Sequence, residues 1–405
     1  MFHRLIAVFS IRYYPLLFTC MFLQGIAISL SMPFLSLYFT NELGVSIGLF
    51  GVYLAVTLVA GIGINALIGK RSDLGLNRKH IYVFTSCCNA VAYCGYLFIH
   101  DFTYLFVYMT VFTALSAPGM PQLFAISREA VSRSSFNNHS FANSTLRSAF
   151  SLGFIIGPLV GTLLISNMGL KGIFTGSICV FILIGLLIST FLKTKGTIAK
   201  ANVQAEISKF KLTQHPKIMV TFIVLILMFT AHWMSSINTA LYITTILSGT
   251  TDDVGLISSI CAALEIPFML ALGILGAKYS NRSIMLGGAV LGALYYIIVI
   301  FAGEMWQLIG AQLLLAVFVA IISATGISYI QDLLPSMPGY ASSLYANSST
   351  IGRLVGSLTG GLIATAVGYR YAFIFCFGLI AAAALLLVYS VRYYKSDSYL
   401  NASIN

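Results

Sequence analysis

From Tyr13 to Asn41 the chain carries no charged side chain. A helix needs about 20 mostly apolar residues to cross a bilayer. The apolar core of a secretory leader has only about 7–15. This stretch therefore reads as a retained spanning helix, even though Arg4 and Arg12 precede it as they would in a leader. Comparable stretches follow along the whole sequence. The expected spans are 13–40, 46–69, 80–99, 103–127, 142–166, 171–192, 218–246, 254–277, 283–302, 305–331, 341–366 and 369–391, twelve in all. The fifth and eleventh are interrupted by Arg147 and Arg353. Inside a bilayer every backbone polar group must be bonded within the protein, so runs of this length point to α-helices. Charged residues make up 8% of the chain, against roughly 25% in soluble proteins. So few charges cannot cover a water-facing surface, and the expected fold class is an all-α membrane protein.

The few charges that remain are asymmetric. Lys70, Arg71, Arg78, Lys79, Arg128, Arg133, Lys278, Arg282, Arg392 and Lys395 fall on one side of the expected membrane, with Lys193, Lys195, Lys200, Lys209, Lys211 and Lys217. On the other side the loops carry Glu42, Asp101, Asp252, Asp253 and Glu304, with Lys171 and Arg370 as their basic residues. Short cytoplasmic loops hold the excess of Lys and Arg, so both termini are expected in the cytoplasm. The net charge of +11 is thereby assigned to topology; the bilayer is the expected partner, and nucleic acid is not. The seven cysteines sit in apolar stretches without metal-ligand spacing. They read as small buried residues, and neither a metal nor another cofactor is expected.

The lysine-rich segment 193–217 divides the chain into an N-terminal six-helix bundle, 1–192, and a C-terminal one, 218–405. The two halves repeat. A shift of 204 positions carries Leu37-Tyr38-Phe39-Thr40 onto Leu241-Tyr242-Ile243-Thr244, Gly51 onto Gly255, Gly69 onto Gly273 and Arg78 onto Arg282. The same shift carries Ala142-Asn143-Ser144 onto Ala346-Asn347-Ser348 and Gly157 onto Gly361. Internal repeats of this kind mark transporters in which one half moves against the other.

Short motifs narrow the class. Gly69-Lys70-Arg71-Ser72-Asp73-Leu74-Gly75-Leu76-Asn77-Arg78-Lys79 resembles the signature between the second and third helices of the major facilitator superfamily, one residue short after Asp73. The second-half copy, from Gly273 to Arg282, has lost the acid. Gly153-Phe154-Ile155-Ile156-Gly157-Pro158-Leu159-Val160-Gly161 resembles the glycine-proline motif of that superfamily's antiporters, whose physical content is close helix packing and a kink. Met120 to Glu129, Leu264-Glu265-Ile266-Pro267-Phe268-Met269-Leu270 and Gln331-Asp332-Leu333-Leu334-Pro335 resemble the bacterial sugar efflux transporters. Gly25-Ile26-Ala27 and the Leu35-Ser36-Leu37 run resemble them too. The resemblance implies the major facilitator fold of two pseudo-symmetric six-helix bundles. It also implies a monomer that exports small sugars or glycosides across the cell inner membrane in exchange for protons, with Asp73, Arg78 and Glu129 forming a gate.

Polar residues inside spans are costly and face cavities or one another. Gln24, Ser31 and Tyr38 recur every seven residues on the first span. Ser235, Asn238 and Tyr242 make a similar stripe on the seventh, and Ser31 and Tyr38 map onto Ser235 and Tyr242 under the repeat. Hydroxyls and amides there can bond sugar hydroxyls while a ring face stacks on C–H groups. Gln122, Gln312 and Asn347 can add amide contacts; the competing role for all of these is interhelical bonding. Glu265 stands alone as an acid in the middle of a span. Its expected role is to exchange a proton between the two sides, unless Arg147 or Arg353 holds it in an ion pair. Those two arginines are assigned to the gate.

Two rival classes remain. A drug exporter of the same superfamily fits the glycine-proline motif. A membrane-embedded enzyme would need a clustered catalytic constellation, and no His-rich, Cys-His or Ser-His grouping lies within the spans.

Overall fold

The computed structural model describes residues 2–35, 38–45, 47–136, 138–193, 210–249 and 251–402. Most of the lysine-rich segment, and Ser36 and Leu37 of the first-span run, lie outside the described residues. Every regular element among the described residues is helical. In chain order the α-helices are α1 (Phe2–Phe9), α2 (Tyr14–Ser29), α3 (Ile47–Asp73), α4 (Arg78–Phe98), α5 (Phe102–Ser116), α6 (Gly119–Ser132), α7 (His139–Met168) and α8 (Leu170–Phe191). They continue as α9 (Pro216–Thr245), α10 (Thr251–Leu275), α11 (Asn281–Phe301), α12 (Met305–Ala320), α13 (Gly326–Leu333), α14 (Pro338–Val367) and α15 (Tyr369–Ala402).

Nine helical stretches among the described residues are long and apolar enough to cross a membrane, one running through α5 and α6 and one through α12 and α13, or ten if the bent pair α1–α2 counts as one span. The expected spans at 254–277 and 341–366 are present as α10 and α14. Polar residues such as Ser342, Ser343, Asn347 and Arg353 dilute the apolar character of α14. Large apolar side chains point outward: Leu67, Leu159, Leu163, Leu362 and Leu385 are each more than half exposed. In water such a surface would invite association; against lipid it is the solvated face.

Local signals start and stop the helices. The side chains of Asn77, Asp101, Asn138 and Ser280 accept first-turn backbone N–H bonds of α4, α5, α7 and α11, which satisfies donors that have no partner within the helix. Gly169 and Gly368, at φ +66° and +101°, separate α7 from α8 and α14 from α15. A β-carbon would be strained at either position. Prolines break two of the expected spans. Helix α2 ends at Ser29 ahead of a 3₁₀ turn through Pro33 and a π turn over Tyr38–Glu42. The expected span 103–127 is interrupted between α5 and α6 at Pro118. Its hydropathy runs through the break, because a kink changes backbone geometry without changing side-chain polarity.

The chain forms two compact units, Met1–Lys209 with Leu334–Ser343, and Phe210–Leu333 with Leu344–Asn405. The boundary falls within the lysine-rich segment, and the first turns of α14 group with the first unit.

Each unit is built around a pair of helices in backbone contact. In the first unit α2 packs on α7. A β-carbon on Gly153 would run into the Phe22 carbonyl, and one on Gly157 into the Ser29 hydroxyl. One on Gly161 would lie 2.8 Å from the Leu30 carbonyl oxygen. In the second unit α9 packs on α14. There a β-carbon on Gly352 would collide with Phe229, one on Gly356 would lie 2.5 Å from the Thr230 carbonyl oxygen, and one on Gly360 would lie 2.9 Å from Asn238 Nδ2. Small residues that let backbones approach are what drives helix association where lipid removes the hydrophobic effect.

Candidate functional site

The densest polar cluster sits in the first unit, where α3 ends. Asp73 is the last residue of α3, and its side chain is 1% exposed. One carboxylate oxygen accepts the Gly339 N–H at 2.9 Å, the other the Tyr340 N–H at 2.7 Å. These are first-turn donors of α14, which Pro338 opens. A carboxylate is favoured at a helix N-terminus by the unpaired N–H groups and the helix dipole. The approach requires glycine on both sides. A β-carbon on Gly339 would strike Ser72 Oγ and Arg78, and one on Gly69 would strike the Ser343 side chain.

Arg78, in the first turn of α4, completes the cluster. Its Nη2 lies 2.6 Å from Asp73 Oδ1, and its Nε lies 3.0 Å from Glu129 Oε1 on α6. Nη1 donates to Ser72 Oγ at 2.9 Å and to Gln122 Oε1 at 3.2 Å. Gln122 Nε2 donates to Ser72 Oγ at 3.1 Å, and the Ser72 hydroxyl donates to the Gly69 carbonyl at 2.7 Å. One guanidinium thus bridges three helices of the first unit, and the planar fork of arginine suits that task. Asp73, Arg78 and Glu129 are brought together as the motif implies. Gln122 belongs to this cluster as well. Ser72 is a member that sequence reasoning missed; its position beside Asp73 in the motif was the available signal.

The residues of the polar stripes are buried. Tyr82 donates to Gln24 Oε1 at 2.9 Å, and Ser31 Oγ lies 3.0 Å from the Tyr93 hydroxyl. The Tyr38 hydroxyl donates to the Tyr96 carbonyl at 3.0 Å, and its ring sits in an aromatic cluster with Phe39, Tyr96 and Phe174. In the second unit Tyr242 donates to the Ala302 carbonyl at 2.8 Å, and Arg370 Nη2 approaches its hydroxyl at 3.3 Å. Asn238 Nδ2 donates to the Met234 carbonyl at 2.9 Å, while its Oδ1 has no partner among the described residues. Gln312 Nε2 donates to the Leu308 carbonyl at 3.1 Å. Ser235 and Asn347 are buried at 2% and 5% exposure. The tyrosine partners Tyr82, Tyr93 and Tyr96 were not legible in advance, because a stripe on one helix does not say which helix faces it.

Glu265 lies half-buried in the middle of α10, two residues before Pro267. Neither Arg147 nor Arg353 has a carboxylate within ion-pair distance among the described residues. Each lies over a ring instead: Arg147 is 4.9 Å from the Phe150 centroid, and Arg353 is 4.8 Å from that of Trp233. Among the described residues no group of three His, Cys, Asp or Glu could hold a metal.

The sequence that builds this cluster lies within a matching family profile. The sequence model of the Major Facilitator Superfamily matches residues 17–247 and 221–402. The sugar efflux transporter A of Escherichia coli (strain K12) is 30% identical over 92% of this chain and 94% of its own length.

The chain belongs to the major facilitator superfamily, in its bacterial sugar efflux transporter family.

The sugar efflux transporter A of Dickeya chrysanthemi is 28% identical over 90% of this chain and 92% of its own. The crystal structure of the major facilitator transporter FucP, in its outward conformation, matches with a TM-score of 0.74 at 15% identity, covering 93% of this chain and 98% of that one. That likeness shows the fold.

Proposed function

We propose that this major facilitator protein exports small sugars or glycosides by alternating access, coupled to the inward flow of protons. The observation that carries the reading is the near full-length similarity to sugar efflux transporters. The protein is a monomer of the inner membrane with both termini in the cytoplasm. That orientation rests on the basic loops. A cysteine at Lys211, in an otherwise cysteine-free protein, should resist impermeant thiol reagents in intact cells and label in everted vesicles. The reverse pattern would invert the topology.

Glu265 is the proton carrier. It is an acid within a span, where an ionised side chain costs about 2.5–3.5 kcal/mol. Gln24, Ser31, Asn238, Gln312 and Asn347 bond the sugar by exchanging their resting partners for its hydroxyls, with Ser235, Tyr38 and Tyr242 holding the stripes in place and Gln122 held in the Arg78 cluster. Asp73, Arg78 and Glu129 form the gate, and Arg147 and Arg353 move with it.

The test is uptake of labelled glycosides into everted vesicles, with and without a pH gradient. Glu265→Gln should abolish uphill accumulation and preserve downhill exchange. If proton release on sugar binding persists undiminished in that variant, the coupling site lies elsewhere. The drug-exporter reading draws on the glycine-proline motif of α7. In the structure those glycines are fully used in packing against α2, so the motif does not favour one cargo over another.

A further inference from the structure

Helix α1 meets α2 at 96°. If α2 crosses the bilayer, α1 lies in its plane. The corner is built rather than frayed. Tyr13 takes the left-handed backbone conformation at φ +69°, an uncommon state for a residue with a β-carbon. Its hydroxyl donates to the Lys193 carbonyl at 3.2 Å, just beyond α8. The guanidinium of Arg12 stands over its ring at 4.8 Å.

The helix has two faces. Leu5, Ile6 and Phe9 share one face and Arg4 lies on the opposite one beside the buried Val8, as 3.6-residue periodicity requires. Phe9 packs edge-on against Tyr14 and Phe18, at 5.8 and 4.9 Å between centroids, so the apolar face turns toward the membrane-crossing part of α2. Ile6, one turn back on that face, is 55% exposed. Basic residues surround this end of the unit: Arg4 and Arg12 on α1 and its corner, Lys79 reaching the Ser189 carbonyl, and Lys193.

We propose that α1 is an interfacial anchor. It lies in the headgroup layer with Ile6 sunk among acyl chains, and Arg4 and Arg12 take the headgroups of anionic phospholipids. An amphipathic helix lying in the interface buries its apolar face about 5–10 Å deep, and each basic residue near an anionic surface contributes about a fivefold preference. The right angle at the corner, the exposed isoleucine and the charge on the opposite face all select a lipid surface.

The experiment uses the full chain in nanodiscs. The seven native cysteines are replaced, and Ile6→Cys carries an environment-sensitive dye. In bilayers containing phosphatidylglycerol the dye should be shielded from aqueous iodide and quenched by a nitroxide high on the acyl chain. Nitroxide-labelled phosphatidylglycerol should quench more strongly than labelled phosphatidylcholine. Arg4→Gln with Arg12→Gln should shrink that preference by an order of magnitude or more. Quenching by iodide as in free solution would overturn the in-plane placement. Equal quenching by the two lipids, or a preference unchanged in the double variant, would overturn the headgroup assignment. Neither readout depends on which solute is transported.

Discussion

The two units carry matching segments of the repeat in different chemical states. In the first, Arg78 gathers Asp73, Glu129, Ser72 and Gln122 into one buried cluster. In the second, the position matching Asp73 under the 204 shift is Ala277 (73 + 204), and the arginine is kept as Arg282. That arginine donates to the Leu387 carbonyl. The pair left behind is Asn281 Nδ2 to Asp332 Oδ2, at 2.7 Å and exposed. Both units nevertheless form the same helices around it. The acid and its ion pairs are therefore not needed to build a helical unit of this kind. What the first unit retains is a carboxylate that binds the first turn of α14.

The largest expected effect follows from that difference. Removing one partner of a buried ion pair strands the other, at a cost of about 3–5 kcal/mol. Asp73→Ala should lower the thermal midpoint of the purified protein sharply, since the partner Arg78 is only 9% exposed. Asp73→Asn keeps an acceptor for the Gly339 N–H and should fold better. It should still cut transport strongly while sugar affinity stays within a few-fold. Unimpaired transport in a well-expressed Asp73→Asn protein would remove the cluster from the gate.

The glycines extend the comparison. Gly157→Ala places a methyl group into the Ser29 side chain, and Gly356→Ala places one against the Thr230 carbonyl. Each should cost about 1–3 kcal/mol by overpacking. Gly361 is the residue that the repeat pairs with Gly157, but it has open space where its β-carbon would be. Gly361→Ala should be neutral, or stabilising by up to about 1 kcal/mol through helix propensity. Matched melts of the three variants check this. Equal losses at Gly157 and Gly361 would mean that the two units pack alike after all.

That contrast also shows what was legible in the sequence. The spans and the repeat could be read because apolar length and residue identity are properties of one segment at a time. The acid, arginine and glycines of the first-unit cluster could be read as a set for the same reason. Their counterpart on α14 could not, because Gly339 and Tyr340 stand far along the chain and present backbone N–H groups, which any residue carries. The exact pairing of glycines failed similarly. In the first unit Gly25 of α2 meets the Phe150 carbonyl. In the second, position 229 (25 + 204) is Phe229, and the glycine has moved to the facing helix as Gly352. A uniform offset cannot register an exchange of small for large across an interface.

A smaller effect is expected where the two units agree. Tyr38 and Tyr242 occupy equivalent positions, and each donates to a carbonyl near the end of a neighbouring helix, α4 or α11. Bonds of this kind between membrane helices contribute about 0.6 kcal/mol on average. Tyr38→Phe should lose about that much. Tyr242→Phe should lose more, since Arg370 also shares its hydroxyl. If either variant instead weakens glycoside binding tenfold with an unchanged melt, that hydroxyl reaches the sugar.

The smallest effect should come from the remnant pair of the second unit. Asp332 is exposed, and water competes for its bond to Asn281. Exposed polar pairs contribute at most about 1 kcal/mol. Asp332→Asn should therefore leave both the melt and transport close to wild type, in contrast to Asp73→Asn. The outcome bears directly on how the two ends work. A transport loss at Asp332 as deep as that at Asp73, without loss of stability, would show that the second unit kept a working acid under another position. The loss of the acid at position 277 would then be a relocation by residue and helix, with the function of the first-unit cluster preserved in both halves.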